Sequence, residues 1–370
     1  MNKERFKFLI NNLFIKALFP INILLSLVFR HIKKKKNILH ISYPIHQAYR
    51  TVKILKLNKI SSIHYLSIGK SSTWSKFDFN FPRGYNFYFY KEFFFLWTFL
   101  IKYKIIHIHF LYTPSITGWE ILFLKLSGTK IIIHFRGNEA RDNKTILKLL
   151  SVGKNSKKKT EKILSNEHRD KKHIIKYANK ILVTTRDLLD FYPEATHIPF
   201  FSINEKNYYQ TPKKFIKIIH ASNQPIIEGT NQIIKVINQL KNEGFLIDFI
   251  YLKDKKFDEV INELKSCHLS IGKLRMGDYA NFQVESMSLG IPTITFVRNN
   301  IIKKNPYISE SGLFISNLSR LKDTLKFILQ NKEILNQRSK MVKKFVNKYH
   351  NNTVIAKKLK SVYMDLGYED

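Results

Sequence analysis

Residues Gly277–Pro292 read GDYANFQVESMSLGIP, and this stretch decides the fold class. Glycines near both ends enclose a segment of helix-forming residues, so we expect a loop, a helix and then a strand. Gly290 is positioned to end the helix, and Ile291–Phe296 is predicted to form the strand. Many α/β helices end in Gly-x-Pro, so the stretch alone predicts an α/β unit and nothing more specific.

The sequence that flanks this stretch also alternates between strand and helix. Phe215–His220 and Leu246–Leu252 are apolar runs of strand length. Between them a helix is predicted to open at Gly229–Thr230, with apolar residues at helical spacing, and to end at Gly244. A second α/β unit therefore begins near residue 215.

The first half of the chain contains further apolar runs of strand length. They are Asn37–Ser42, Ile63–Ser67, Ile105–His109, Lys130–Phe135 and Lys180–Thr184. Such alternation favours parallel sheets covered on both faces, and 370 residues suit two domains. We predict two Rossmann-like domains, 37–205 and 206–344, that face each other across a cleft, with a C-terminal helix, 345–370, packed on the first.

The N-terminal segment 1–36 differs from the rest because it is both hydrophobic and basic. Leu13–Phe29 is mostly apolar, with lysines and arginines before it and Lys33–Lys36 after it. The run is short for a membrane-spanning helix of about 20 residues, and Pro20 would kink it. We expect a helix that lies in the membrane interface, with the lysines on anionic headgroups. The alternative is a first helix packed on the protein itself.

The net charge of +35 calls for an anionic partner or reflects biased composition. No RGG tract, zinc-finger spacing or RNP-like aromatic motif accompanies it, so we expect an anionic membrane surface and no nucleic acid. Catalytic motifs of other classes are also absent: G-x-G-x-x-G, D-x-D and G-x-S-x-G. His107 and His109 alternate along one strand, but no third ligand is evident in the sequence, so we predict no metal and no cofactor.

Four stretches occur in an order and spacing that resemble one known family. Within Gly277–Pro292, Glu285 is followed in order by a small residue, Met287, another small residue and the pattern x-Gly-x-Pro. The other three are His220–Asn223 with Glu228–Thr230, Ile133–Asp142, and Ile181–Leu189. Over roughly residues 37–365 the chain resembles the glycosyltransferase family 4 group. The resemblance implies an α/β fold of the GT-B type, here with an N-terminal hydrophobic and basic extension.

The resemblance also implies roles for individual residues. Glu285 would begin a helix and accept two ribose hydroxyls of a nucleotide-sugar donor, while the amides of Ser286 and Met287 face its diphosphate. The implied donor-binding residues are Glu285, Ser286, Met287, Gly277, Tyr279, Asn281, Lys273 and Arg275. Arg136 and Glu139 are implied to be catalytic, and Asn138 and Arg141 to lie on the acceptor side.

The chain departs from the family pattern where the donor diphosphate should bind. Pro225 and Glu228 stand where the family has an Arg and a Lys, and Gly277 replaces an acidic residue. Arg136 replaces the second His of an H-F-H-G motif. Lys273 and Arg275 are candidate substitutes for the lost cations, with Arg136 across the cleft, although each also fits as one more cation of a basic chain.

The resemblance implies a retaining, metal-independent glycosyltransferase of the hexosyltransferase type. We expect a nucleotide-diphosphate sugar donor and a lipid-linked glycan acceptor, in surface polysaccharide or lipopolysaccharide synthesis at the cytoplasmic face of the cell membrane. The alternative is a catalytically inactive GT-B scaffold that binds partner glycosyltransferases at the membrane, because Pro225, Glu228 and Gly277 depart from the pattern.

Overall fold

A computed structural model describes residues 13, 16–32, 36–43, 45–60, 63–68, 78–81, 100–113, 118–141, 146, 172–275 and 277–369. The strands of the first sheet are β1 Lys36–Ser42, β2 Ile63–Ile68, β3 Phe79–Phe81, β4 Tyr103–His109, β5 Lys130–Phe135, β6 Lys180–Val183 and β7 Thr196–His197. Those of the second sheet are β8 Ile216–Ala221, β9 Ile247–Leu252, β10 Leu269–Ile271, β11 Thr293–Thr295 and β12 Phe314–Ile315.

Both sheets are parallel in every described pairing. The first has the order β3-β2-β1-β4-β5-β6-β7 and the second β12-β11-β10-β8-β9. Each predicted strand is confirmed to within two residues at either end. Strands β3, β7 and β12 were not predicted, because they are only two or three residues long and lie at the sheet edges.

Helices connect the strands and cover the sheets. They are α1 Phe19–Phe29, α2 His46–Leu57, α3 Glu120–Leu126, α4 Lys172–Ile175, α5 Pro225–Glu228, α6 Thr230–Asn242, α7 Phe257–Leu264, α8 Asn281–Ser288, α9 Asn299–Lys304, α10 Leu321–Gln330, α11 Ile334–Tyr349 and α12 Asn352–Met364. Single 3₁₀ turns occupy Asn138–Ala140, Arg186–Asp190 and Pro306–Ser311.

The core of the first domain lies on both faces of its sheet. Along β5, Ile131, Ile133 and Phe135 join one apolar cluster, whereas Ile132 joins a cluster on the opposite face. Successive side chains of a strand point to opposite faces, so a strand buried on both faces needs apolar residues at consecutive positions. The run of three isoleucines in β5 therefore follows from its central place in the sheet.

The second domain repeats this arrangement. Ile218 packs in one cluster and Ile219 in another on the opposite face of β8. Gly290 has φ +78°, and this left-handed residue lets the chain turn from α8 into β11, as the sequence predicts.

The chain returns to the first domain at its C-terminal end. The predicted boundary between 344 and 345 falls inside α11, whose Phe345 and Val346 pack against second-domain residues. The side chains that join the first-domain core come from α12 and include Leu359 and Tyr363. The return therefore begins near Asn352 and not at residue 345, because α11 continues unbroken to Tyr349.

Helix α1 packs on the first domain with one of its faces. Phe19 makes edge-to-face contacts with Trp119 and Phe123, and Phe29 packs against the same cluster. The opposite face leaves large apolar side chains exposed: Ile21 at 52%, Leu24 at 63% and Val28 at 57%, and Ile32, just after the helix, is 54% exposed. Residues 1–12 of the predicted membrane segment lie outside the described residues. No helix in the described part of the chain is long and apolar enough to cross a membrane.

Candidate functional site

Loops that follow strands of the two sheets meet at an interface between the domains. Asn138, after β5, donates from Nδ2 to Oε1 of Gln224, after β8, at 3.1 Å. Arg186, after β6, donates from Nη2 to Oδ1 of Asp278, after β10, at 2.7 Å. Open α/β sheets bind ligands beyond the carboxyl ends of their strands, so this interface is the candidate functional site.

The predicted catalytic residues Arg136 and Glu139 lie in the loop after β5. The Glu139 carboxylate accepts the backbone N–H of Arg136 and, at 3.0 Å, that of Gly137, so it stabilises the turn. Arg136 donates from Nε to Nδ1 of His109 and from Nη2 to Oγ1 of Thr51, both in the first domain. These two nitrogens point into the first domain, and the predicted phosphate contact of Arg136 stays a prediction. Catalytic roles for both residues stay predictions.

Arg141, predicted on the acceptor side, is held by a buried ion pair. Its Nε lies 3.1 Å from Oδ2 of Asp187, and its Nη1 donates to Oδ1 of Asn138. Burial raises the pKa of Asp187, but the charges of Arg141 and Lys273 and the hydrogen bonds to the carboxylate together outweigh burial and lower the pKa to about 2. Arg141 therefore fixes Asn138 at the interface, where Asn138 contacts Gln224.

Four histidines lie on one face of three adjacent strands of the first sheet. They are His40 on β1, His107 and His109 on β4, and His134 on β5, and all four are buried. His40 pairs in register with His107, and His109 with His134. The sequence analysis found no third partner for His107 and His109, and the structure corrects this, because β1 and β5 flank β4 in space but not in sequence.

The first part of this cluster is a chain of hydrogen bonds with a defined direction. Arg136 Nε has no lone pair and must donate, so His109 Nδ1 accepts, at 3.1 Å. His109 then donates from Nε2 to Nδ1 of His40 at 2.9 Å. His40 in turn donates from Nε2 to the hydroxyl of Tyr363 on α12 at 3.2 Å.

The chain continues from Tyr363 to the backbone of β5. The Tyr363 hydroxyl donates to Nδ1 of His107 at 2.9 Å, and His107 Nε2 donates to Nδ1 of His134 at 3.1 Å. His134 Nε2 donates to Oγ1 of Thr184, which donates to the carbonyl of Phe135. Each ring carries one proton and is neutral. We call these residues the histidine chain.

Neutrality agrees with the surroundings of the rings. Burial and then the charge of Arg136 lower the pKa of His40 to about 3, and burial also lowers the pKa of His107, His109 and His134. Three of the rings are close enough to be considered as metal ligands: His40, His107 and His109. A metal ion needs a free lone pair from each ring, and every ring nitrogen here is already hydrogen-bonded. The hydrogen-bonded chain is the better description.

Helix α8 begins earlier than the sequence suggests. Ala280 precedes its first turn, and Gln283 Oε1 accepts the backbone N–H of Ala280 at 3.1 Å. Glu285 is thus the fifth residue of the helix and does not lie at its start. The amides of Ser286 and Met287 lie inside α8 and point toward its preceding turn. The prediction that these two amides face a diphosphate is wrong, and the free amides are those of the first turn, 281–283.

Two other predicted donor residues face inward. Tyr279 is buried, and its hydroxyl is 3.0 Å from Nε2 of His350. A Cβ added at Gly277 would lie 2.4 Å from Nε of Arg298, so an acidic side chain fits here only if Arg298 moves. Between them, Asp278 accepts the backbone N–H and the guanidinium of Arg186. This buried ion pair between the domains joins the loop before α8 to the first domain.

Glu285 and Asn281 are brought together as predicted. Asn281 Nδ2 donates to Oε1 of Glu285, and the guanidinium of Arg50 on α2 lies 3.9 Å from the same oxygen. Burial raises the pKa of Glu285 to about 7, with Arg50 opposing the shift. The carboxylate therefore lies at the domain interface, next to a cation of the first domain.

The two candidate cations upstream of α8 behave differently. The Lys273 ammonium makes neither a hydrogen bond nor an ion pair with any residue that the structure describes; burial lowers its pKa, and Asp187 of the first domain raises it. Arg275 instead donates to the carbonyl of Ile226 on α5 at 3.1 Å. Burial raises the pKa of Glu228, while Lys273 and a hydrogen bond to Ser222 lower it. Lys273 faces the interface, and Arg275 holds α5.

Comparisons with known proteins rest on structure alone. No family model matches the sequence, and no curated protein matches it. A glycosyltransferase from Rickettsia africae ESF-5 is similar, with a TM-score of 0.59 and 11% identity over 91% of this chain and 100% of that one. Sucrose-phosphate synthase from Thermosynechococcus elongatus has a TM-score of 0.55 and 12% identity over 90% and 99%.

The chain has the GT-B fold. Its two parallel sheets and the interface between them match these glycosyltransferases over their full length. A UDP-N-acetylglucosamine 2-epimerase is similar as well, with a TM-score of 0.54 and 12% identity over 92% of this chain and 98% of that one. At such identities the likeness shows the GT-B fold and does not fix the reaction.

Sequence reasoning missed several residues of the GT-B interface. Arg186 lies in a stretch that the resemblance includes, and Asp278 follows Gly277 directly, so both had a local signal. Gln224 and Arg50 had none, because their importance comes from residues more than 80 positions away, Asn138 and Glu285.

Proposed function

We propose that the chain is a retaining glycosyltransferase related to family 4. It moves a sugar from a nucleotide-diphosphate sugar to a lipid-linked glycan acceptor in surface polysaccharide or lipopolysaccharide synthesis. The reaction requires no cofactor and no metal in this proposal, because the resemblance implies catalysis by stabilising the departing diphosphate.

The observation that carries the proposal is the position of Glu285. A mostly buried carboxylate on α8 lies at the domain interface of a GT-B fold, beside Asn281 and opposite Arg50. A carboxylate accepts hydrogen bonds from two vicinal hydroxyls, so ribose is a fitting ligand. The first-turn amides of α8 offer donors for a phosphate, and Lys273 supplies a cation that makes no hydrogen bond or ion pair with any residue that the structure describes.

The direct test is turnover by the full chain with a panel of UDP-, GDP- and ADP-sugars, following release of the nucleoside diphosphate. We expect hydrolysis or transfer with at least one donor, unchanged by EDTA, and an α-anomeric product from an α-linked donor. Glu285→Gln should lower kcat/KM roughly 10- to 100-fold, since a hydrogen bond to a charged group contributes about 1.5–3 kcal/mol. Glu263→Gln, on the exposed face of α7, is the control. No turnover and no nucleotide binding with any donor would overturn the proposal.

We also propose that the protein is cytoplasmic and binds peripherally to the inner face of the cell membrane. The exposed surface of helix α1 supports this proposal. Its exposed residues Ile21, Leu24 and Val28 recur at intervals of three or four, so they form one apolar stripe, and the exposed Ile32 follows just after the helix. Lys16 and Arg30 flank this stripe, and Lys33–Lys36 follows it in sequence. Apolar residues bordered by cations suit an anionic bilayer surface.

Vesicle sedimentation tests this part separately. We expect binding to vesicles with anionic lipid, weaker binding to phosphatidylcholine alone, and loss of binding in Leu24→Ser/Val28→Ser. Phe327→Ser, which removes an equally exposed apolar side chain from α10, is the control. Equal sedimentation of all variants would contradict membrane binding through α1 and leave the enzymatic proposal standing.

An inactive scaffold is the second candidate. Pro225 and Glu228 favour it, because the half-buried carboxylate of Glu228 lies on the second-domain side, where the family has cations. Full biological function in a Glu285→Gln strain would support the scaffold and contradict the enzyme.

A further inference from the structure

Helix α2 presents one face to the second domain. The ring of His46 stacks on Phe257 of α7, with centroids 3.7 Å apart and planes 13° from parallel. Arg50, one turn later on the same face, lies 3.9 Å from Oε1 of Glu285. This face of the first domain therefore borders the carboxylate that the proposed function assigns to the donor ribose.

Arg50 has an unused capacity for hydrogen bonding. A guanidinium carries five N–H donors, yet that of Arg50 makes no hydrogen bond with any residue that the structure describes. Its Nη2 is fully buried without a partner, and its side chain is only 12% exposed. By contrast, the buried guanidinium groups of Arg141 and Arg186 each donate to a carboxylate. A buried, charged donor that lacks a partner is costly, so the position of Arg50 indicates an acceptor that is supplied from outside the protein.

The charge balance of the second domain indicates which acceptor is missing. Pro225 and Glu228 occupy the positions where the family has its two cations. Lys273 remains, but the carboxylate of Glu228 lies close enough to interact with it electrostatically. The negative charge of Glu228 offsets the positive charge of Lys273. Glu285 adds a further carboxylate. A diphosphate that bound to second-domain residues alone would meet no net positive charge.

We propose that Arg50, from the first domain, binds a phosphate of the donor diphosphate and thereby replaces the cations that the second domain lacks. At 3.9 Å its contact with Glu285 is too long for a hydrogen bond, so little is lost when ribose hydroxyls take the carboxylate. The released guanidinium then makes paired N–H···O bonds to the phosphate, a geometry that its planar shape favours. This inference rests on the proposed function and assigns the phosphate contact to a residue outside the family's pattern.

The test compares ligands with and without phosphate on the full chain. Calorimetry with UDP, GDP and ADP first identifies the diphosphate that binds the wild type, and ligand-observed NMR then gives the affinity of the matching nucleoside. Arg50→Gln should weaken diphosphate binding roughly 10- to 100-fold and leave nucleoside binding within about twofold. Lys53→Gln removes a charge from the exposed side of the same helix and should change neither.

Each other outcome is decisive. Equal diphosphate affinity of the wild type and Arg50→Gln would overturn the assignment while the proposed function stands. An equal loss for diphosphate and nucleoside would also overturn it, because it would show that Arg50 only joins the domains. If no diphosphate binds the wild type, the proposed function itself fails. Should Arg50→Gln unfold, Arg50→Lys keeps the charge but loses the paired geometry, and about a tenfold loss confined to the diphosphate is expected.

Discussion

The first-domain loops and the residues around α8 both bring polar groups to the domain interface. The two sets differ in how far the hydrogen-bonding capacity of these groups is used within the protein. In the first domain, Arg136, Glu139 and the histidine chain bond to one another. Around α8, Lys273 of the second domain and Arg50 of the first domain carry charges without hydrogen bonds to described residues. Groups that are satisfied internally serve the fold, whereas groups left unsatisfied at high cost indicate a ligand.

The largest expected effect comes from removing one member of a satisfied pair. Asp187→Ala leaves Arg141 buried without its carboxylate, so the free energy of unfolding should fall by about 3–5 kcal/mol. Chemical denaturation measures the change. Asp190→Ala, which removes the partly exposed partner of Arg298, should cost about 1 kcal/mol or less. Similar losses for both variants would show that burial does not separate the two pairs.

The histidine chain predicts a loss of stability in acid. The folded-state pKa of His40 is about 3, below the unfolded value of 6.5, so the neutral ring contributes stability that is complete above pH 6.5 and falls as the pH drops toward 3. Within this window the slope for one histidine is about 1.4 kcal/mol per pH unit. His40→Gln should reduce the slope of unfolding free energy between pH 6 and 5 by about this amount.

The control for this titration is His31→Gln, since His31 is exposed. Its slope should match that of the wild type. The raised pKa of buried Glu285 makes its own contribution to stability fall as the pH rises, which is opposite to the effect of His40. The slopes of the variants are therefore compared with the slope of the wild type and are not interpreted alone. An unchanged slope in His40→Gln would contradict a neutral, ordered chain.

The smallest effect on stability is expected on the unsatisfied side. Lys273→Gln removes a charge that makes no hydrogen bond with the described part of the chain, so the free energy of unfolding should change by less than about 1 kcal/mol. Affinity for the nucleoside diphosphate should nevertheless fall about tenfold, measured by calorimetry. Lys241→Gln at the exposed end of α6 is the matched control. A large loss of stability with unchanged affinity would place Lys273 among the structural groups instead.

The fold was predictable because parallel strands buried on both faces require runs such as Ile131–Ile133, and glycines such as Gly290 mark the ends of helices. The site was predictable only in part. Glu285 and Asn281 could be predicted because they lie in one continuous motif. The start of α8 could not, because it involves the contact between Gln283 and Ala280, and the free amides lie four to five residues before the predicted ones. Arg50 could not be found, because only folding brings α2 beside α8.

Arg136 also determines how protons are ordered inside the first domain. A row of imidazoles that begins with a histidine has two possible arrangements, because every ring can donate its proton in either direction. Arg136 stands where the glycosyltransferase family 4 group, which the sequence resembles, has that histidine, and its Nε can only donate. A single residue at the mouth of the site thereby selects one of two arrangements for every ring as far as Thr184. Arg136→His would restore the choice, and ring-nitrogen chemical shifts would then report two tautomers where the wild type has one.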